Sequence, residues 1–500
     1  MKSSWTPGNN PPLSLVDKFR AGAQRLPLHP AEKKLLTVLL VHLCLLPWAI
    51  GTMYLWTQIA SLVLAVVGFA MAILPRDYRA EFTGGPEFRM APWPKLVRFP
   101  LFWLGLALLG YITIQGLNPA WTYESSPTQW WLRRVPHIKW LPSGIETPFA
   151  RFNAWRALII YSSAWLVACS IWVGLTRRLS VQYLLMGLAT NGFVLGIVAA
   201  AQRFAGNGKI LWCVTPPPNS TGFASFIYKN HAGAYLALMA TVAFGLAYWY
   251  YDRGVRRLQK SNPSGLFALM GLFIGLMVIF SFSRAAAVLL LGYLFLAGVA
   301  LFFVRRRQAP GLGNPVIALT LLLVFAGFAY VALESFEISD VMRRFDEFSN
   351  EGLNAPSVIE RGLARSAATD MLQANWLQGT GAGSFRFYFP EFAKNYPSIY
   401  RGGQLFWEHA HCDWLEFPIE LGLVGMLLLI ACAGSIGLSL IRNFFWDHPL
   451  AILILLGGAM TLGHATVEFV FQNPAVLLTW VILPVCLARW LELESVNEGR

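Results

Sequence analysis

The sequence predicts an all-α, polytopic membrane protein of about twelve spans, and three observations predict it. Of its 500 residues 56% are hydrophobic and only 13% charged, against about 25% charged in soluble chains. Apolar runs recur at about the 20-residue length that crosses a ~30 Å hydrocarbon core, and the mean hydropathy is +0.51. The basic residues collect at alternate span ends. Together these exclude an ordinary soluble enzyme.

Read between charge and Pro/Gly punctuation, the spans fall near 35–53, 55–74, 97–114, 155–175, 181–202, 232–251, 265–282, 285–304, 315–333, 415–441, 449–470 and 475–490. The first 34 residues carry Pro, Asn and charge before any apolar run, so the first span acts as its own membrane signal. With that segment (1–34) inside, the inward loops receive Arg76 with Arg79, Arg177 with Arg178, the cluster Arg253, Arg256, Arg257 and Lys260, the run Arg305 to Arg307, then Arg442 and Arg489. That is the positive-inside pattern of cytoplasmic loops. It also explains the net charge of +13 as orientation rather than nucleic-acid binding. Spans one to nine occupy 35–333, spans ten to twelve 413–490, and 491–500 is a cytoplasmic tail.

The outward loops are about 115–154, 203–231 and 334–412. The last holds ten acidic and seven basic residues and reads as a small, partly helical subdomain. A helix is expected over about 357–377, from Ile359, Leu363, Met371 and Trp376 after Pro356 and Ser357, ended by Gly379, Gly381 and Gly383.

Four sets of residues carry candidate chemistry. Arg284 is the only charge between Gly265 and Val304; it is either a snorkelling end residue or an anion contact at the outer turn of a hairpin. Lys229, Asn230 and His231 precede the sixth span, where helix N–H groups favour an anion or a sugar, Asn230 being alternatively a plain cap. Arg361 and Arg365, at i and i+4, can clamp a diphosphate or pair with Glu360 or Asp370 on a solvated face. Glu408, His409, His411 and Asp413 supply imidazole and carboxylate for general-base chemistry, or alternatively a metal set from His409, His411 and Asp413. Phe385, Phe387, Tyr388 and Phe389, like Trp130, Trp131 and Trp140, either face sugar rings or pack at the membrane interface. The rival reading is a secondary transporter or flippase with a proton relay of His464 and Glu468, against which no internal repeat is visible.

Four elements then resemble the O-antigen ligase and polymerase superfamily of bacterial membrane glycosyltransferases: FIYKNHAGAYL at 226–236, SFSRAAAVLLL at 281–291, ERGLARSAATDMLQANWLQGTGAGSF at 360–385 and HAHCDWLEFPIELGLVG at 409–425. The resemblance spans roughly 190–445. It implies an inverting, metal-independent transfer, without cofactor, of a glycan from an undecaprenyl-diphosphate carrier at the periplasmic face of the inner membrane. The acceptor is a glycan, lipid A core or protein, and polysaccharide-assembly proteins are possible partners. By motif the functional arginines fall on Arg284 and on Arg361 or Arg365, and the histidine on His411 or His409. Cys412 stands where the family usually has Asn. Of the six cysteines, none in a CxxC pair, Cys213 and Cys412 lie in outward loops and are expected to pair in an oxidising periplasm.

Overall fold

The computed structural model describes residues 26–83, 87–206, 208–217, 220–258, 261–308, 323–324, 326–331, 334, 356–400 and 406–497. Its long helices are α1 (Pro30–Trp48), α2 (Leu55–Ala72), α3 (Pro100–Leu117), α4 (Ala154–Gly174), α5 (Arg178–Ala205), α6 (Lys229–Arg256), α7 (Ser264–Phe280) and α8 (Arg284–Gln308). After these come α9 (Pro356–Asn375), α10 (Phe385–Ala393), α11 (Asp413–Arg442), α12 (Pro449–His464) and α13 (Pro474–Asn497). Among the described residues eight are long and apolar enough to cross a membrane, and α7 and α12 are shorter apolar helices. The expected span at 315–333 falls mostly outside the described residues.

Local chemistry sets the boundaries. Pro30 opens α1, where the His29 ring accepts from the Ala31 N–H, and Asn153 caps α4 by accepting from the Arg156 N–H. α5 ends on Gly206 at φ 63°, a left-handed stop that glycine adopts without strain. The centre of the bundle is α6: 89% of its apolar window is buried, against 17% for α11. Its run of Ala and Gly lets neighbours approach closely, the packing mode of helices in lipid. A methyl on Gly457 of α12 would lie 2.3 Å from the Thr241 hydroxyl of α6.

The two ends of the bundle differ in chemistry. One end carries paired charge: Arg178 with Glu494, Arg489 with Glu492 at 2.6 Å and Arg256 with Asp252 at 2.8 Å. There the buried Glu32 accepts from the Thr176 and Arg177 amides. The other end gathers the starts of α6, α8 and α11 and the ends of α7 and α12.

Above that second end sits a subdomain that the spans alone do not foretell. Strands β3 (Pro119–Ser125), β4 (Trp130–Arg134) and β5 (Gly144–Glu146) form a three-stranded sheet in the order β4-β3-β5. β1 (Arg76–Tyr78) and β2 (Phe88–Met90) pair as a separate ribbon. Tyr123, Ile145 and Phe387 form a small core with Trp130 against it. Phe385 and Phe389 bury themselves with Ala364, Ala367, Ala368 and Met371 of α9. These aromatics therefore hold the subdomain together. The expected helix at 357–377 is α9, and Trp376 lies beyond its end, exposed. The expected pairing of Cys213 with Cys412 is corrected: both thiols are free, Cys213 exposed and Cys412 buried.

The hinge between subdomain and spans is built on glycine. α11 breaks at Gly422 (φ 62°, ψ −173°), and a methyl on Gly379 would meet the Glu420 carbonyl at 2.3 Å. In that close approach the Thr380 and Gly381 amides donate to the Ile419 and Glu420 carbonyls, and the Leu423 amide donates to Trp376 O at 2.8 Å. The Tyr111 hydroxyl donates to the Leu421 carbonyl freed by the break, at 2.7 Å.

Candidate functional site

The site is organised by a loop, 465–471, between α12 and α13. The expected eleventh span at 449–470 stops earlier: the helix ends at His464, and the chain turns through Glu468 and Phe469 at the bundle end where α6, α8 and α11 start. Arg365 donates to the Thr466 carbonyl at 3.2 Å, and the His231 ring contacts the Phe469 carbonyl at 3.1 Å. The Asp413 amide donates to Ala465 O at 2.9 Å, and Asp413 Oδ2 accepts from the Phe471 amide at 2.9 Å. Three of the four sequence elements thus meet on seven residues, the first six of which sequence reasoning had assigned to a span.

His411 sits with φ 49°, a left-handed backbone that costs a non-glycine residue and persists only where surrounding contacts impose it. Its Nδ1 lies 3.3 Å from Glu468 Oε2, and 27% of its side chain remains exposed. Its ring stands edge-on to Phe469 at 4.9 Å and to Trp407 at 5.5 Å. Glu468 also accepts from the Tyr228 hydroxyl at 3.3 Å. Burial alone would raise the Glu468 carboxyl; the hydrogen bond and charge of His411, with Arg361 and His464, outweigh it and hold the group below its usual range.

His409 is placed differently. It is buried, with Nδ1 2.7 Å from Glu416 Oε1 and Nε2 3.4 Å from Arg386 Nη2, and it stacks on Phe469 at 4.5 Å. Glu416 also accepts from the Ala410 amide at 2.8 Å, and Arg386 pairs with the exposed Glu408 at 3.6 Å. A carboxylate on one ring nitrogen and a guanidinium on the other require the neutral ring, donating through Nδ1 and accepting at Nε2. Burial first, then the Arg386 charge, hold His409 well below its ordinary 6.5. Below that pH the released segment binds a proton that the packed one refuses. The stability His409 contributes is therefore complete above 6.5 and is lost as pH falls towards the depressed value. Hydrogen-exchange protection of 406–412 is expected to fall between pH 7.5 and 5.5 in the native protein, and His409→Gln to flatten that slope; equal slopes would refute it.

The cationic candidates gather at the same end. Arg284 is the first residue of α8 and is exposed. Its neighbours Ser283 and Ala286 pack on the first turn of α6, so closely that a methyl on Gly233 would lie 2.8 Å from Ala286 Cβ. That turn holds Lys229, half-buried, with Asn230 and His231 buried. Asn230 does not cap the helix; its amide donates to the Tyr228 hydroxyl at 2.8 Å. Arg361 and Arg365 are exposed on α9, Arg361 acting on Glu468 and Tyr228.

Two arrangements limit the alternatives. His409, His411 and Asp413 point to Glu416, Glu468 and the Phe471 amide respectively, so the three do not converge on one ion. The glycine turn offers no open nest for phosphate, because Glu420 accepts from the Gly383 amide at 2.9 Å and the Phe385 amide at 3.0 Å. Beside the site, α3, α4, α11 and α13 enclose a cavity of about 430 Å³ lined by Leu101, Gly105, Tyr161, Phe417 and Trp480, with Asp413 at its wall.

Sequence reasoning missed Glu416, Arg386, Tyr228 and Phe469, and it read Glu468 as the partner of His464. Glu416 was the most accessible: it lies one turn of helix from Asp413 and one from Glu420, an acidic density unusual at the head of an apolar span.

Fold and site together define a multi-pass helical membrane protein with imidazole, carboxylate and guanidinium groups at one end of its bundle. Residues 265–430 match the family model described as O-antigen ligase. That match, across about a third of the chain, supports the O-antigen ligase/polymerase superfamily and with it a ligase- or polymerase-like glycosyltransferase. None of the curated proteins matches the chain. The matched segment contains Arg284, Arg361, Arg365, Glu408, His409, His411 and Asp413, whereas Lys229, Asn230, His231 and the loop 465–471 lie outside it.

Proposed function

We propose that the protein transfers a glycan from an undecaprenyl-diphosphate carrier to an acceptor hydroxyl at the periplasmic face of the bacterial inner membrane, with inversion and without a metal. The observation that carries the reading is the contact of the partly exposed His411 with Glu468 at 3.3 Å, at the bundle end that also bears Arg284, Arg361 and Arg365. His411 takes the proton from the acceptor hydroxyl as its oxygen attacks the anomeric carbon. The bond from that carbon to the phosphate oxygen breaks, and the carrier leaves as its diphosphate with both electrons. Arg284 and the α9 arginines meet the charge that develops there. A single displacement inverts the anomeric centre.

The orientation follows from charge: the opposite end, with Arg178, Arg253, Arg256 and Arg257, belongs in the cytoplasm by the positive-inside rule. The cavity of about 430 Å³ beside Asp413 suits part of an isoprenoid chain entering from the bilayer. The acceptor is a growing glycan in the reading favoured here, that of a polymerase or exopolysaccharide assembly enzyme; lipid A core and protein hydroxyls are its family alternatives. Proteoliposomes containing the protein, a lipid-linked donor and chelator test the reaction. A new glycosidic linkage with released polyprenyl diphosphate is expected, and relocation of intact donor without a new linkage would overturn the proposal in favour of a transporter.

A further inference from the structure

The geometry points to Glu468 as the positioning residue of His411, holding the imidazole with its proton on Nδ1 so that Nε2 is left to accept the acceptor's proton. This rests on the glycosyl-transfer reading above. It concerns a residue outside the segment that carries the family match, since Glu468 lies beyond residue 430.

Three sets of contacts carry it. Glu468 is buried, 7% of its side chain exposed, and its Oε2 is shared by His411 Nδ1 and the Tyr228 hydroxyl, each at 3.3 Å. The carboxylate is fixed from behind as well: the Glu468 amide donates to His464 O at 3.1 Å, Arg365 holds Thr466 O and His231 holds Phe469 O. The Phe469 ring is stacked between Tyr228 at 5.3 Å and His409 at 4.5 Å, which fixes the direction in which Glu468 leaves the loop. On the other side, His411 is held in its left-handed backbone by its neighbours: Glu416 accepts from the Ala410 amide, and the Asp413 amide donates to Ala465 O. Both partners are thus placed by contacts independent of the one they make with each other. The other titratable groups facing the pair are Arg361 from α9, His464 from α12, His409, and His231 from α6.

A carboxylate against Nδ1 selects the tautomer with the lone pair on Nε2 and stabilises the imidazolium formed when that lone pair takes a proton. It touches neither sugar nor diphosphate. Its loss should therefore appear in turnover rather than in binding.

The test uses the full chain in nanodiscs with a lipid-linked glycan donor. Glu468→Gln is expected to lower kcat by about 100-fold, with KM for donor and acceptor within about twofold of the native value. Glu468→Asp, which keeps the charge at a longer reach, is expected to recover at least about a tenth of native turnover. A second readout needs no turnover: ¹⁵N spectra of His411 should show the Nδ1–H tautomer in the native protein and a growing Nε2–H population in Glu468→Gln. A kcat within about threefold of native, a loss carried by KM, or an unchanged tautomer would overturn the assignment. Native protein that makes no linkage while the tautomer still responds to Glu468→Gln would sink the glycosyl-transfer reading and leave the pairing standing.

Discussion

His411→Ala is expected to lower glycan transfer by about 10²- to 10⁴-fold, the usual worth of a positioned general base, with the protein present at normal abundance in the membrane. The argument is one of elimination among three imidazoles packed around Phe469. His231 is buried and committed to the Phe469 carbonyl at 3.1 Å. His409 is bracketed by Glu416 and Arg386, so both of its nitrogens are engaged. His411 presents one nitrogen to Glu468 and keeps 27% of its side chain exposed, enough for an acceptor hydroxyl to reach the other. Initial rates at saturating donor, compared at equal membrane abundance, measure the effect. A His411→Ala protein that transfers at the native rate would remove the base from the mechanism. His409→Gln separates the two histidines further, since its effect is expected in the pH dependence of loop protection.

What the sequence made legible is what depends on neighbours along the chain. Twenty-residue apolar runs declared the spans, and basic clusters declared the bundle end they share. Arg284 stood out because nothing else between Gly265 and Val304 is charged. Pattern also reached the helix carrying Arg361 and Arg365 and the cluster from Glu408 to Asp413. It could not reach contacts that join distant segments. Glu468 is 57 residues from His411 and sits where hydropathy alone continues a span. Only the turn that ends α12 at His464 brings it out to the site. Arg386 and His409 are separated by 23 residues and meet because the glycine turn folds back on the broken α11. The glycines at 379, 381 and 383 were legible as a helix stop but not as a joint, in which the Thr380 and Gly381 amides find the Ile419 and Glu420 carbonyls and the Gly383 amide finds the Glu420 carboxylate. The sheet at 119–146 escaped because its strands are short and rest on Phe387 from a remote helix.

Arg284→Ala is expected to cost at least as much activity as His411→Ala, because in the proposed mechanism this fixed cation acts on the charge that develops on the leaving diphosphate. Removing one such preorganised group typically costs about 10²- to 10³-fold in kcat, and more where it also places the donor. Local structure gives Arg284 little other purpose. It begins α8, where the helix dipole is already positive, so a cation there is unfavourable to the helix by about 0.3 to 1 kcal/mol. The cap itself is Ser283, whose hydroxyl accepts from the Ala286 amide, so α8 should form at least as well with alanine at 284. Guanidinium charge and helix N–H groups both favour an anion, and together they suit a phosphate held against the turn between α7 and α8. Arg284→Lys therefore distinguishes charge from shape: it keeps the point charge but loses the bidentate fork, and should fall between the native protein and Arg284→Ala. Turnover at saturating donor, with thermal stability measured alongside, decides the matter. Normal transfer by Arg284→Ala at equal abundance would show that the leaving group is met elsewhere, and the α9 arginines would then have to carry the whole of that charge.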